Sequence, residues 1–378
     1  MNILIVSLWF ERGQGIISRQ IYEALIPKHK VFVLARRGYI VDDNLCKGYG
    51  FIERTGRRSA FLDDKDYWNI PNLIKLNSYE ISKEQIKDII ERNRIDIAIF
   101  NEENDFQLVE YVKSLGIKIA SYVDFFTKEN IPKFKVYDAL LCSSIRTYNA
   151  FSYLQNAYYT PWGVDLNWFK PSERPEFSFF HNAGWAGTGM RKGTIETLRA
   201  FRELMQQYKG HAGYPNFSLL VHTQKSISSY PGWVRELFKF PQIKIHEGTL
   251  RKPGLYNKGM IYVAPSRIEG LGLHILEALA SGLPVITTNA PPMNEYVRDK
   301  ENGLLAKVRH SQMRTDHFYS PEKIVDVNDL KCKMNMLVMD KELYGKLRDN
   351  TIRYAKENLD WKKNGKKVLE IIDGLQKH

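Results

Sequence analysis

The chain has 378 residues, enough for two domains with separate cores. Its 43% hydrophobic and 26% charged residues are ordinary for a globular protein, and three cysteines (Cys46, Cys142, Cys332) are too few and too far apart for a disulfide framework or a cysteine zinc site. The net charge of +12 lies almost entirely in the second half, where 33 basic residues face 22 acidic ones across 169–378, against 22 and 21 across 1–168.

The excess forms no long basic run, and aromatics do not interleave with it as in an RNA- or DNA-binding module, so no nucleic-acid partner is expected. A solvated basic surface explains it equally well.

The chain opens on Met1-Asn-Ile-Leu-Ile-Val-Ser-Leu-Trp-Phe10, which lacks a basic leader and a cleavage site and reads as a strand rather than a signal peptide. No apolar run approaches the ~20 residues needed to cross a bilayer. A cytoplasmic protein with at most loose, peripheral membrane contact is expected.

In chain order, β-rich runs at 3–7, 31–35, 95–100, 117–122 and 139–142 alternate with helical patterns at 16–25 and 106–115. Residues 36–80, rich in Gly, Arg, Asp and Asn, read as loops with a short hairpin. The second half repeats the scheme, with strands at 177–183, 217–222, 243–246, 261–264 and 284–288 and helices at 193–208 and 273–281. From Val327 onward the pattern is helical. Strands separated by helices predict βαβ units and a mostly parallel sheet in each half. The fold class is α/β, with two doubly wound domains facing a central cleft. Prolines and Gly163 within 159–175 mark the linker, giving domains 1–170 and 171–360, and the amphipathic helix about 361–378 is expected to pack back onto the first.

Ligands of open parallel sheets bind beyond the carboxyl ends of the strands. There the second half carries Pro265-Ser-Arg-Ile-Glu-Gly-Leu-Gly-Leu-His-Ile-Leu-Glu277. A strand ends at Pro265, Gly270 and Gly272 let a ligand approach backbone, and the N–H groups of the following helix attract an anion. Glu269 and Glu277 frame the loop and suit hydrogen bonds from sugar or ribose hydroxyls. By residue type alone, a glycine-rich turn with two solvated glutamates fits as well.

The longer phrase Pro265–Ile286 resembles the signature of the retaining glycosyltransferases of family 4, which have the GT-B fold of two Rossmann-like domains. Pro161–Pro171 is similar to the family's linker phrase, Arg191–Phe201 to its phosphate-binding segment, and Pro292–Val297 with Asn302–Leu305 to its closing phrase. The resemblance runs from about Ala139 to Leu375. It implies a hexosyl-type transferase that moves a sugar, with retention, from a nucleoside diphosphate sugar of UDP or GDP type to a saccharide or glycolipid hydroxyl. It implies neither cofactor nor metal. By resemblance Glu269 contacts the donor sugar, Glu277 the ribose, and the amides of Gly270, Leu271, Gly272 and Leu273 the sugar and diphosphate. Lys192 with Arg191 neutralises the leaving diphosphate. Gly13 and Gly15, in the loop after the first strand, and Gly184 complete the donor set, with Leu250 and Arg251 near the base.

Two departures stand out. Trp185 occupies the place of the family's arginine, which leaves its role to Arg191 or to the glycine loop at 184–189. Val123 stands where a histidine is usual, so acceptor contacts fall to Tyr122, Asp124 and Asn101, although an ordinary acidic turn or helix cap accounts for such residues too. The first loop lacks the third glycine and the acidic partner of a dinucleotide site. Competing readings are a GT-B relative with other chemistry, such as a sugar-nucleotide epimerase, and a non-catalytic basic binding protein.

Overall fold

A computed structural model describes residues 1–10, 12–36, 65–173, 177–185, 190–209, 217–248, 250, 252–314, 316 and 318–376. The chain divides into two compact units. The first holds residues 1–143, 147–161 and 362 onward; the second holds 144–146 and 162–361.

In the first unit seven strands form one sheet: β1 (Asn2–Ser7), β2 (Lys30–Ala35), β3 (Leu73–Lys75), β4 (Ile97–Asn101), β5 (Lys118–Val123), β6 (Ala139–Cys142) and β7 (Ala157–Tyr159). Their order is β3-β2-β1-β4-β5-β6-β7, and every neighbouring pair is parallel. The central strands are apolar on both faces, as a sheet covered on both sides requires. α1 (Gly13–Leu25), α3 (Lys83–Asn93) and α4 (Phe106–Ser114) supply crossovers, and α5 (Ile145–Phe151) lies between β6 and β7 in the chain. Ser82 and Gln85 form a reciprocal capping box at the start of α3, and the Asp105 carboxylate accepts from the N–H groups of Gln107 and Leu108 to start α4. The hairpin expected within residues 36–80 is absent from its described part. There a short helix, α2 (Lys65–Trp68), leads into β3, which pairs parallel to β2; three residues are too few to show alternation in a sequence.

The second unit has six parallel strands: β8 (Ser178–Gly184), β9 (Ser218–Thr223), β10 (Ile243–Glu247), β11 (Ile261–Ala264), β12 (Val285–Thr288) and β13 (Gly303–Ala306), in the order β10-β9-β8-β11-β12-β13. α6 (Thr194–Tyr208) follows β8, α7 (Gly232–Phe238) follows β9, α8 (Leu273–Ala280) follows β11 and α9 (Met293–Tyr296) follows β12. α8 ends as its sequence predicts, with Gly282 at φ +73° and Pro284 next to β12. An antiparallel hairpin, β14 (Val308–Gln312) with β15 (Glu322–Val325), was not legible in the sequence. The chain finishes in α10 (Val327–Met339), α11 (Lys341–Asn358) and α12 (Trp361–Leu375).

The division between the units falls at Pro161/Trp162, earlier than the prolines suggested. Trp162, Gly163 and Val164 are packed against Leu359, Asp360 and Trp361. The two indoles lie 4.5 Å apart, Val164 and Asp360 bridge, and a side chain at position 163 would strike the Leu359 carbonyl. Among the described residues, no helix is long and apolar enough to cross a membrane.

Candidate active site

In the second unit the chain runs outward from β8 to β9 and β10, then returns to start again at β11 on the other side. The carboxyl ends of β8 and β11 therefore flank the topological switch point, where such sheets bind ligands. Arg191, Lys192, Glu269 and the glycines of the loop after β11, all singled out in the sequence, lie here.

Three features draw the two sides together. His181 of β8 donates from Nδ1 to the Val263 carbonyl of β11 (2.8 Å) and accepts from the Thr194 hydroxyl at Nε2 (3.0 Å). Gly193, at φ +67°, starts α6 against the Pro265 carbonyl, which an added Cβ would approach to 2.1 Å. The Arg267 amide donates to the Arg191 carbonyl (2.8 Å), and its guanidinium is paired with the buried Glu196 (2.6 Å). Arg191 and Lys192, immediately before α6, are thus held beside the loop after β11.

Glu269 is the hub. Lys192 Nζ lies 2.6 Å from its Oε1, His274 Nε2 3.0 Å from the same oxygen, and an Arg191 guanidinium nitrogen 3.8 Å from Oε2. Burial by itself would raise the Glu269 carboxyl; the charges of Lys192 and Arg191, with the hydrogen bond from His274, outweigh it and hold it well below the ordinary carboxylate range. Burial pulls the Lys192 ammonium down, against the opposing pull of Glu269. Arg191 is the more exposed cation, its side chain 39% accessible against 12% for Lys192.

Gly270 is half-buried, Leu271 is buried, and Gly272, at φ +82°, turns the chain into α8 with no side-chain cap. The first N–H groups of α8, from Leu273 on, emerge next to Glu269. Arg146 donates to the Gly270 carbonyl (3.5 Å) and to Ser320 (3.2 Å). Glu277 is half-buried in α8 and hydrogen-bonds the Tyr256 hydroxyl. Gly184 ends β8 at φ +54°, its N–H bonded to the Asn182 side chain and its carbonyl to the Gln224 amide. Trp185, expected in the arginine's place, has Lys225 Nζ over its ring at 5.1 Å. Leu250 is half-buried beyond β10; Arg251, Gly187 and Gly189 lie outside the described residues. His222 donates to the carbonyl of Gly248 (2.8 Å) and so tethers this loop.

The remaining predicted residues lie in the first unit. Gly13 opens α1, and Gly15 packs on Phe10, whose carbonyl an added Cβ would approach to 2.0 Å. Asn101 spans that unit's own switch point between β1 and β4. Its Nδ2 donates to the Gln14 carbonyl (2.9 Å) and to Ser18 Oγ (2.7 Å), while its carbonyl accepts from the Gln14 amide (2.7 Å). Glu103, in the same acidic loop, is in a buried ion pair with Arg36, and Asp105 caps α4. Tyr122 is fully buried, with its hydroxyl 3.0 Å from Ser143 Oγ; Asp124 follows β5 half-buried.

The sequence reading missed Tyr262, His274, Glu196 and Arg267. Tyr262 reads as a core strand residue and His274 as a variable position. The one visible cue was a lone histidine opening an otherwise apolar helix, Leu273-His-Ile-Leu-Glu-Ala-Leu-Ala280. Among the described residues, no group of three or more His, Cys, Asp or Glu is placed to hold a metal ion.

Residues 183–317 match the family model of the glycosyl transferases group 1. Over 141 residues the chain is 29% identical to the O-antigen chain mannosyltransferase B of Escherichia coli, a match covering 33% of this chain and 34% of that protein. Two solved structures superpose over almost the whole chain. Sucrose-phosphate synthase from Thermosynechococcus elongatus does so with a TM-score of 0.73 at 16% identity, covering 99% of both chains. Anabaena HepE in complex with UDP-glucose does so with a TM-score of 0.70 at 13% identity, covering 99% of this chain and 100% of that one. The chain therefore has the GT-B fold, and its second unit is similar, over residues 183–317, to the group 1 glycosyl transferases.

Proposed function

We propose that the protein is a glycosyltransferase that moves a hexosyl group from a nucleoside diphosphate sugar to a hydroxyl of a saccharide or glycolipid acceptor, with retention at the anomeric carbon and without a metal. The observation that carries this reading is the Lys192–Glu269–Arg191 cluster, set beside the uncapped start of α8 at the switch point of the second sheet. HepE, of the same fold, was solved with UDP-glucose, which favours UDP as the donor's nucleotide here.

The chemistry follows from charge. Transfer breaks the bond between the anomeric carbon and the β-phosphate oxygen, forms a bond from that carbon to the acceptor hydroxyl, and releases the nucleoside diphosphate. Negative charge grows on the diphosphate as the bond breaks. Preorganised cations and backbone N–H groups stabilise that charge most in the transition state, where it is largest. Lys192 and Arg191 supply the cations, and α8 supplies the N–H groups. Glu269, kept ionised, accepts hydrogen bonds from sugar hydroxyls and offsets positive charge building on the ring. Glu277, further along α8, takes the ribose. Asn101, Tyr122 and Asp124 remain the proposed acceptor-side residues; Asn101 and Tyr122 act there by shaping the walls, since the Asn101 side-chain nitrogen and the Tyr122 hydroxyl are engaged within the unit.

A thermal-shift series with UDP, GDP and ADP, followed by UDP release from UDP-glucose, tests the proposal. Ligands that bind only the folded state raise the melting temperature. A rise with UDP, and release of UDP that disappears in Glu269→Gln, is the expected result. Failure of every nucleoside diphosphate to shift the melting curve would overturn it.

A further inference from the structure

We infer that His274 is a positioning residue for Glu269: Tyr262 fixes the imidazole, and the imidazole fixes the carboxylate. The inference rests on the reading of this cluster as a nucleotide-sugar site.

The hydrogen bonds admit one consistent arrangement. His274 Nε2 is 3.0 Å from Glu269 Oε1, and its Nδ1 is 2.9 Å from the Tyr262 hydroxyl. A carboxylate can only accept, so Nε2 carries the hydrogen. In a neutral ring Nδ1 then only accepts, so Tyr262 donates. Ser266 Oγ, 3.4 Å from Nε2, is the weaker contact. All three members are buried. Burial above all, then the charge of Glu277, holds the Tyr262 phenol far above its usual range, so it keeps the proton it donates. Burial, then Lys192, pushes the His274 imidazole down to about 4, so it stays neutral and can keep accepting from Tyr262.

The arrangement has a consequence for the chemistry. Glu269 Oε1 is shared between Lys192 and His274. When Lys192 turns toward a bound diphosphate, the His274 bond still holds that oxygen. The carboxylate therefore does not swing after the ammonium, and Oε2 keeps its angle toward the sugar. His274 is the second residue of α8, and its ring reaches back five positions to the loop. It therefore also pins the loop carrying Gly270 and Gly272 to the helix whose N–H groups face the ligand. Holding a reacting group through a buried second partner is worth roughly 10–100-fold where it has been measured around metal ligands, and small misplacements of a catalytic group cost similar factors.

Two measurements test this. The first needs no substrate. Imidazole nitrogen NMR of the ligand-free protein, with His274→Gln for assignment, should show His274 as the neutral Nε2–H form at pH 6. An Nδ1–H form, or a charged ring at that pH, overturns the inference whatever the protein does. The second uses UDP release from UDP-glucose. Tyr262→Phe, which keeps the ring and removes only the hydroxyl, and His274→Ala should each lower kcat by about tenfold with KM within twofold. His274→Gln, whose amide nitrogen reaches the same carboxylate oxygen, should recover most of the loss. Unchanged kcat in folded Tyr262→Phe and His274→Ala overturns the inference. Should wild-type protein release no nucleoside diphosphate from any nucleotide sugar, the transferase reading fails, and the NMR measurement alone decides how Glu269 is held.

Discussion

Lys192 Nζ lies 2.6 Å from Glu269 Oε1 with both side chains nearly enclosed, so the cation proposed for the diphosphate is paired with the carboxylate proposed for the sugar. A donor that enters must divide this pair, offering its phosphate to one partner and its hydroxyls to the other. A ligand carrying both groups is the natural solution, because a buried ion left alone is costly.

Removing one partner should therefore harm folding and activity together. Lys192→Ala takes from a buried carboxylate its closest cation, leaving it the looser Arg191 and the neutral His274, and is expected to cost about 3 kcal/mol of stability and at least a hundredfold in UDP release. Glu269→Gln, which keeps a neutral side chain of the same size, should cost less stability and as much activity. Urea unfolding and a UDP-release assay on both variants check this; near-wild-type turnover in either one rules out the proposed roles.

Acid should destabilise the protein in a defined window. His181 and His274 are both pushed to about 4 by burial, whereas in the unfolded chain they titrate near 6.5. Below 6.5 the unfolded chain takes up protons that the native protein refuses until about 4. Stability therefore falls as pH drops through that window, by about 1.4 kcal/mol per pH unit for each histidine; above it they contribute nothing. Glu269, depressed in the folded state, adds a second loss below the ordinary carboxylate range. Unfolding free energies at pH 7, 6 and 5 should show the slope, and it should flatten in His181→Gln. A stability that does not change between pH 7 and 5 contradicts the buried neutral state of both rings.

Arg191 and Lys192 should differ in what they recognise. Arg191 is the more exposed cation and only 3.8 Å from Glu269 Oε2 at closest approach, so it is freer to meet a ligand. Arg191→Ala should weaken UDP by about tenfold, the worth of a charge-assisted hydrogen bond, and UMP by much less. Calorimetric titration with the two nucleotides measures the ratio. Equal losses for both would place Arg191 away from the β-phosphate.

Asn101→Ala removes a buried amide that bonds Gln14 and Ser18 across the first unit's switch point. About 1–3 kcal/mol of stability should go with it, with UDP affinity unchanged. The same experiment shows whether its part is purely architectural, since an altered UDP affinity would tie it to the donor.

The cluster proposed for the donor was largely legible in the sequence, and the reason is chemical. Glycines at Gly270 and Gly272, a strand end at Pro265 and carboxylates at Glu269 and Glu277 leave a trace because each requires a particular residue type. Both parallel sheets were legible through their apolar runs. His274 and Tyr262 were not, because a buried polar relay is defined by who faces whom across a strand and a helix, which spacing does not reveal. Asn101 and Tyr122 stand at strand ends as their residue types suggest, but which way their polar groups turn was not legible: the Asn101 amide nitrogen bonds Gln14 and Ser18, and the Tyr122 hydroxyl lies beside Ser143. β3 and the β14–β15 hairpin are too short or too polar for periodicity to register. The division between the units was set by the packing of Trp162 on Trp361, residues far apart in sequence, rather than by the prolines nearby.

Gly193 bears on how this protein could be re-engineered. Its α-carbon faces the Pro265 carbonyl too closely for any side chain, and its φ of +67° suits no ordinary replacement. A library aimed at new donors can vary the residues on either side of it, but position 193 admits one occupant. The two cations before it therefore inherit a fixed origin. Their lengths and charges can be retuned, while the point from which they reach is closed to selection.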